Sequence, residues 1–180
     1  MGGDQGPATV VAGISRSAKK NPDVAFIVHG PASELKPLIE KRGLSSRCQI
    51  RDVSEIVTMD AKPSHVMRNG KGTSMWSAIE SVRNGEAEVA VSCGNTGALM
   101  ALSMIRLKRL PGVNRPAIAI LWPSRNPQGF NVMLDVGADI RADEHDLLRY
   151  ALMGMSYARN GLGLKRPRKG RMRLLCVCDR

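Results

Sequence analysis

The segment at residues 89–100 constrains the fold of this chain more than any other part of the sequence. Residues 89–91 form an apolar run typical of a buried strand, and residues 92–97 are small or polar. The chain then continues into residues 98–105, whose composition predicts a helix. A strand that passes through a glycine-bearing turn into a helix is typical of α/β folds.

This turn also has the chemistry of an anion site. The first N–H groups of a helix have no intrahelical partner, and the helix dipole favours negative charge there. Gly94 and Gly97 allow close approach of the backbone to a ligand, while Asn95 and Thr96 supply side-chain donors. Two interpretations stay open: a phosphate or oxyanion site, or an ordinary turn in which Asn95 or Thr96 caps the helix.

The rest of the sequence repeats the alternation of strand and helix. Apolar runs with strand character occur at residues 24–28, 48–53, 116–121 and 132–137. Helical periodicity occurs at residues 8–20, 33–41, 75–84, 98–109 and 143–155. This alternation predicts an α/β fold with a mostly parallel sheet that helices cover on both faces.

A second candidate anion site precedes the helix at residues 75–84. Residues 54–73 are predicted to be turn and loop, and Thr73 or Ser74 is the predicted cap of the helix. The end of this loop is basic and carries two glycines, so Lys71 and Ser74 are candidates for anion contacts. The alternative is a solvated surface loop.

The predicted sheet brings three loops to one edge. Ligands of parallel sheets bind beyond the carboxyl ends of the strands. The turn at residues 94–97, the turn after Asp135 and the N-terminal loop at residues 2–4 all fall there. We therefore expect these loops to be neighbours in space.

The charge of the chain suggests a nucleic-acid partner, but its distribution argues against one. The net charge is +11, of which residues 161–180 carry +6 and the first 160 residues carry +5. Aromatic residues make up 3% of the chain, which leaves few rings for stacking on bases. We expect no nucleic-acid partner, and a nucleic-acid-binding module that uses the basic tail is kept as an alternative.

The four cysteines predict neither disulfides nor a metal site. No signal peptide is visible, so a reducing cytoplasm is expected. Cys176 and Cys178, with three scattered histidines, show no zinc-binding spacing. No apolar run reaches the length of a membrane span.

Taken together, these motifs resemble the bacterial phosphate acyltransferase (PlsX) family of phospholipid synthesis. The matching segments are Met1-Gly2-Gly3-Asp4, Arg68 with Thr73-Ser74-Met75, residues 92–100, Arg115-Pro116-Ala117, residues 134–138 and Met153-Gly154. The resemblance extends from Met1 to about Arg168, and the order and spacing of the motifs make the joint signal specific.

The resemblance implies a reaction in which inorganic phosphate attacks the thioester of an acyl-acyl carrier protein to give acyl phosphate. It implies a three-layer α/β/α fold similar to isopropylmalate dehydrogenases and phosphotransacetylases. It also implies a homodimer, peripheral association with the inner face of the membrane, and a glycerol-3-phosphate acyltransferase as a partner. No metal or organic cofactor is expected.

The residues fit that chemistry, because thioester phosphorolysis needs a positioned phosphate and a stabilised oxyanion. The candidates for catalysis are Asn95, Thr96, Ser74 and Lys71, and the candidates for substrate binding are Gly2, Gly3, Asp4, Gly94, Gly97 and Asp135. Structural interpretations stay open: Asp4 can brace its turn, and Asp135 can cap one. Cys93 is interpreted as a packing residue rather than a nucleophile.

Two departures from the family pattern suggest that the fold is incomplete. The family has a strand before the turn that begins at Met1, and its pattern is lost after Arg168. Residues 1–168 are predicted to be the N-terminal part of the acyltransferase domain, and residues 169–180 a divergent basic tail, for which a frameshift near Arg168 is the hypothesis. The nucleotide sequence around codon 168 tests that frameshift.

Two other functions are alternatives to the acyltransferase. The expected truncation makes an inactive fragment or pseudoenzyme of the same family the main alternative. A nucleotide- or dinucleotide-dependent enzyme is disfavoured, because Gly94-Asn95-Thr96-Gly97 is not G-x-G-x-x-G and no Walker lysine pattern is present.

Overall fold

The computed structural model describes residues 2–109, 111–113, 116–135 and 143–167. The chain divides into two compact units, Met1–Leu110 and Pro111–Arg180. The first unit contains α1 (Gly6–Lys20), β1 (Phe26–Gly30), α2 (Ala32–Lys41), β2 (Cys48–Asp52), α3 (Pro63–Asn69), α4 (Ser74–Arg83) and α5 (Thr96–Arg106). The second contains β3 (Ala119–Pro123), β4 (Phe130–Leu134) and α6 (Glu144–Asn160).

The first half of the first unit is a parallel βαβ arrangement. β1 pairs with β2 in register from Phe26 opposite Cys48 to Gly30 opposite Asp52, and α2 connects the two strands. Gly43 follows α2 with φ +63°, a conformation that favours glycine just after the end of a helix. The apolar faces of these elements form one core cluster, made of Val11, Val28, Leu35, Ile39 and Leu44.

The second half of the first unit is a helical cluster. Helix α5 packs against both α3 and α4. Its apolar residues Ala98 and Leu102 are fully buried. They belong to a second core cluster, completed by Val57, Val66, Met75 and Ile79. The first turns of α4 and α5 therefore pack on a common core, through Met75 and Ala98.

The second unit is a hairpin and a helix. β3 and β4 are antiparallel, from Ala119 opposite Leu134 to Pro123 opposite Phe130. Helix α6 begins with a capping box, because Asp143 accepts from the backbone N–H of Asp146 while the Asp146 carboxylate accepts from that of Asp143. This start agrees with the helical periodicity at residues 143–155 that the sequence shows.

The α/β class is confirmed, and two local predictions are corrected. The connection from β3 to β4 is only a few residues long, whereas a parallel crossover needs a dozen or more, so an antiparallel hairpin replaces the expected parallel pairing. Helix α3 forms where loop was predicted, with Pro63 in its first turn, where the missing N–H of proline costs nothing.

The predicted buried strand at residues 89–91 is also wrong. Within the described residues this segment pairs with no strand, and Val89 and Val91 are 72% and 82% exposed. An apolar run becomes a buried strand only when neighbouring strands satisfy its backbone groups. The three-layer arrangement stays a prediction, and residues 136–137 and the predicted basic tail at 169–180 lie outside the described residues.

Candidate functional site

The N-terminal glycines lie directly against two distant segments. A Cβ atom added to Gly2 would collide with the carbonyl oxygen of Val57, and one added to Gly3 would lie 2.9 Å from the carbonyl oxygen of Cys93. Any side chain at either position would force the backbone apart. The loop at residues 2–4 therefore meets the turn at residues 92–97, as the sequence predicts.

The turn before α5 is fixed by the side chain of Asn95, which is 8% exposed. Its Oδ1 accepts from the backbone N–H of Ala98 at 2.9 Å, which confirms Asn95 as the helix cap. Its Nδ2 group donates to three backbone carbonyls, those of Thr58, Met59 and Ala61, at 3.3, 2.9 and 2.9 Å. The amide thus joins the turn to the loop that precedes α3.

The residues that follow Asn95 differ in their surroundings. Thr96 is exposed at the first position of α5. A Cβ atom added to Gly97 would lie 2.9 Å from Cγ of Pro63, so glycine at this position permits the close packing of α5 on α3. Thr96 is accessible to a ligand, whereas the packing of helices already explains the presence of Gly97.

The second predicted anion loop leads into α4. Thr73 caps this helix, as predicted: its Oγ1 accepts from the backbone N–H of Trp76 and donates to the carbonyl of Gly70. The backbone N–H of Ser74 donates to the carbonyl of Glu55 at 2.9 Å. Ser74 is 5% exposed, and its hydroxyl bonds to no other residue of the described chain. Lys71 is exposed.

The two predicted anion loops are neighbours. A Cβ atom added to Gly94 would lie 3.4 Å from Cε of Met75 and 3.6 Å from the carbonyl oxygen of Gly2. The N-terminus of α1 is adjacent, since the backbone N–H of Gly6 donates to the carbonyl of Gly3 at 3.2 Å. We call the segments at residues 2–4, 71–75 and 92–97 the convergence site, because α1, α4 and α5 begin there.

The electrostatics of the convergence site favour an anion. The N-terminal ends of three helices lie at the convergence site, and a helix N-terminus carries a partial positive charge. The backbone N–H groups of Gly6, Ser74, Trp76 and Ala98 are bonded within the chain, and Pro7 has none. None of these helices has an acidic residue in its first turn. Asp4, which precedes α1, is an exposed acidic residue within the site's N-terminal segment. The arrangement suits a phosphate-sized anion held by backbone donors.

Asp135 belongs to the second unit, so its surroundings are those within that unit. It has φ +58°, a conformation that aspartate tolerates better than most residues, and its backbone N–H donates to the carbonyl of Ile118 at 2.8 Å. The turn that follows it lies outside the described residues. The structure thus brings the segments around Gly2–Gly3, Met75 and Cys93–Gly94 together, and the roles of the candidate residues, Asp135 included, stay predictions.

Sequence reasoning missed a charged cluster between α4 and α5. Glu80 accepts from Arg106 at 2.6 and 2.9 Å, and the guanidinium of Arg106 lies 4.6 Å from the ring centre of Trp76. The hydrogen bonds from Arg106 hold the pKa of Glu80 below its usual range. Glu80 and Arg106 are 26 positions apart, so no local sequence motif predicts this pair. The ion pair between Glu80 and Arg106 links α4 to α5.

Three further expectations from the sequence concern Cys93, a membrane-spanning helix and a metal site. Cys93, interpreted as a packing residue, is exposed. Among the described residues, no helix has the length and apolar character of a membrane span. The same residues contain no cluster of three or more His, Cys, Asp or Glu side chains placed to hold a metal ion.

Comparison with known proteins places the sequence among acyltransferases. A protein-family model described as "Fatty acid synthesis protein" matches residues 1–175. A curated relative named "Phosphate acyltransferase" from Paracoccus denitrificans (strain Pd 1222) is 75% identical over 171 residues, which cover 94% of this chain and 46% of the relative. Relatives of the same name from Ruegeria sp. (strain TM1040) and Roseobacter denitrificans are 72% identical, with 94% of this chain covered and 46% and 48% of theirs. The chain spans about half the length of these relatives.

Proposed function

The chain belongs to the phosphate acyltransferase (PlsX) family, and we propose that it supplies the phosphate-binding part of an acyl-acyl carrier protein:phosphate acyltransferase. In this reaction a phosphate oxygen bonds to the thioester carbonyl carbon, and the carbon–sulfur bond breaks. The proton of hydrogen phosphate passes to the departing thiolate. The products are acyl phosphate and the carrier protein with a free thiol.

The observation that carries the proposal is the convergence of three helix N-termini around glycine backbone. Phosphate brings its own nucleophilic oxygen, so the protein needs no Ser or Cys nucleophile. It must hold a dianion next to a carbonyl and stabilise the oxyanion that develops. The convergence site offers backbone N–H donors, the unbonded Ser74 hydroxyl and the exposed Thr96 hydroxyl for those two tasks.

We assign roles within the convergence site on this basis. Lys71 offsets the charge of the phosphate, and Ser74 and Thr96 donate to its oxygens. Gly2, Gly3 and Gly94 let the surrounding backbone segments pack closely, and we assign their backbone to substrate binding. Asp4 is assigned to substrate binding. Asp135, in the second unit, keeps the substrate-binding role that the sequence predicts. These assignments extend the residue-level predictions from the sequence.

The partners follow from the same reaction. The substrates are an acyl-acyl carrier protein and inorganic phosphate, and the product feeds a glycerol-3-phosphate acyltransferase. A homodimer in the cytoplasm, peripherally attached to the inner face of the membrane, is the working arrangement. Each of these proposals rests on the family assignment.

Acyl phosphate formation by the purified protein tests the proposal. The protein is incubated with an acyl-acyl carrier protein and phosphate, and acyl phosphate is trapped with hydroxylamine. Lys71→Met is expected to raise the phosphate KM by about tenfold to a hundredfold, because a charge-assisted contact is worth about 1.5–3 kcal/mol. Lys36→Met, which changes an exposed lysine on α2, serves as the control and should leave the phosphate KM unchanged.

The same experiment separates the alternatives. Phosphate that raises the melting temperature without forming acyl phosphate identifies a non-catalytic member of the family. Failure of phosphate to stabilise the protein at all contradicts the proposed binding site. Equal phosphate KM values for Lys71→Met and Lys36→Met remove Lys71 from the site.

A further inference from the structure

The side chain of Asn95 has no N–H donor left for a phosphate oxygen. A neutral amide carries two N–H donors, and those of Asn95 are shared among three backbone carbonyls. Its oxygen accepts from the N–H of Ala98. The residue is 8% exposed, so solvent does not compete for these bonds. Asn95 acts on the convergence site through the backbone that it holds.

The bonds of Asn95 join two segments that are 34 to 37 positions apart in the chain. One segment is the turn that presents Gly94 and Thr96 at the start of α5. The other is the loop at residues 58–61, which leads into α3. The close packing of Gly97 on Pro63 also holds the start of α5 against the start of α3. The orientation of the α5 N-terminus thus depends on a loop outside the convergence site.

We infer that Asn95 is a positioning residue rather than a ligand of phosphate, and that it sets the direction of the α5 N–H groups by tying them to residues 58–61. This inference rests on the proposed function, since it assigns the α5 N-terminus to the bound phosphate. A displacement of about 1 Å in such donors can cost roughly a hundredfold in rate. The loop before α3 is therefore part of the device that orients the anion site.

Two substitutions separate positioning from direct contact. Asn95→Ser keeps a capping oxygen but has no amide to reach the three carbonyls. Asn95→Asp keeps the length and the cap but turns a carboxylate toward those carbonyls. Asn126→Ser is the matched control: Asn126 also donates through Nδ2 and accepts through Oδ1 within its loop, but it belongs to the hairpin of the second unit.

Hydrogen exchange tests the link between the segments without reference to activity. In Asn95→Ser we expect the N–H groups of Leu99 in α5 and Ala61 in the loop to lose protection together, by about fivefold to tenfold. Asn126→Ser should leave both unchanged. Loss of protection in α5 alone, or in neither segment, overturns the inference.

Steady-state kinetics test the consequence for the site. Asn95→Ser and Asn95→Asp are both expected to raise the phosphate KM and lower kcat, each by about tenfold or more, while Asn126→Ser keeps both constants. Normal phosphate kinetics in Asn95→Ser, with a defect only in Asn95→Asp, would show that the site does not depend on the bonds from the amide and that only the added charge is harmful, which overturns the inference.

Coupled loss of protection with unchanged kinetics also overturns it, because Asn95 is then only structural. A wild-type protein that forms no acyl phosphate refutes the proposed function instead. In that case the exchange experiment still decides whether Asn95 joins the two segments.

Discussion

The two units of the chain bury their apolar side chains to very different extents. In the first unit, two core clusters contain fully buried residues on four helices, among them Val11, Leu35, Ile79 and Leu102. In the described part of the second unit, the buried apolar residues are Tyr150 and Ala158. Several large apolar side chains of that unit are exposed, namely Leu121, Trp122, Leu147, Leu148, Leu152 and Tyr157.

The difference teaches that complete local structure does not by itself produce a core. The hairpin has a full register, and α6 has a capping box, so both satisfy their backbone locally. A core requires a second layer that covers the apolar face of the first. In the first unit α1 and α2 cover the strands, and α5 is covered by α3 and α4.

Deletion of a leucine side chain tests this contrast with the largest expected effect. Leu102→Ala should lower the free energy of unfolding by about 3 kcal/mol, because it opens a cavity in a fully buried cluster. Leu152→Ala removes a side chain that is 51% exposed and should cost about 0.5 kcal/mol. Urea unfolding measures both. Equal costs would show that the two units are packed alike.

Two helical glycines give the next largest effect. Gly97→Ala places a methyl group against the rigid ring of Pro63 and should destabilise the first unit by about 1–2 kcal/mol. Gly154→Ala meets a terminal methyl group of Leu134, a flexible side chain that can rotate away. Its cost is offset by the helix propensity of alanine, so we expect a change within about 0.5 kcal/mol. A tolerated Gly97→Ala would refute close packing of α3 on α5.

Removal of a helix cap has a smaller effect. Thr73→Ala should cost about 1 kcal/mol, through loss of the bond from the N–H of Trp76, and Thr73→Ser should restore most of it. Residue-resolved hydrogen exchange should show the loss in the first turn of α4 and leave α6 unchanged. A loss of protection in both units would mean that they unfold together, which would weaken the contrast.

The smallest effect is a pH dependence confined to the first unit. His29 accepts from or donates to Ser77 Oγ at 2.9 Å, and burial together with the charge of Arg51 lowers its pKa from 6.5. The native state then binds fewer protons than the unfolded state. The stability from neutral His29 is present above pH 6.5 and is lost as pH falls through the lowered pKa. His29→Gln should therefore show a shallower decline in urea midpoint between about pH 7.5 and 5.5. An unchanged slope would rule out His29 as the source.

Local sequence signals predicted much of the fold. The sequence shows the periodicity of α1, α2, α5 and α6 and offers Asn95 and Thr73 among its candidate caps, because each of these signals depends on neighbours within about four positions. The short β3–β4 connection and Pro63 were also local signals, and reading them would have predicted the hairpin and α3. The strand predicted at residues 89–91 failed for a different reason. Whether residues 89–91 form a strand depends on neighbouring strands, and a local sequence pattern does not show whether those strands are present.

The candidate site divides in the same way. The sequence by itself determined which residue types surround the anion loops: glycines where backbones meet, a capping asparagine and threonine, and a basic residue before α4. Tertiary structure alone decided that Gly3 lies against Cys93 and that the amide of Asn95 is bonded to residues 58–61. Capping and periodicity are set within one or two helical turns. Contacts across tens of residues exist only after the chain has collapsed around a shared core.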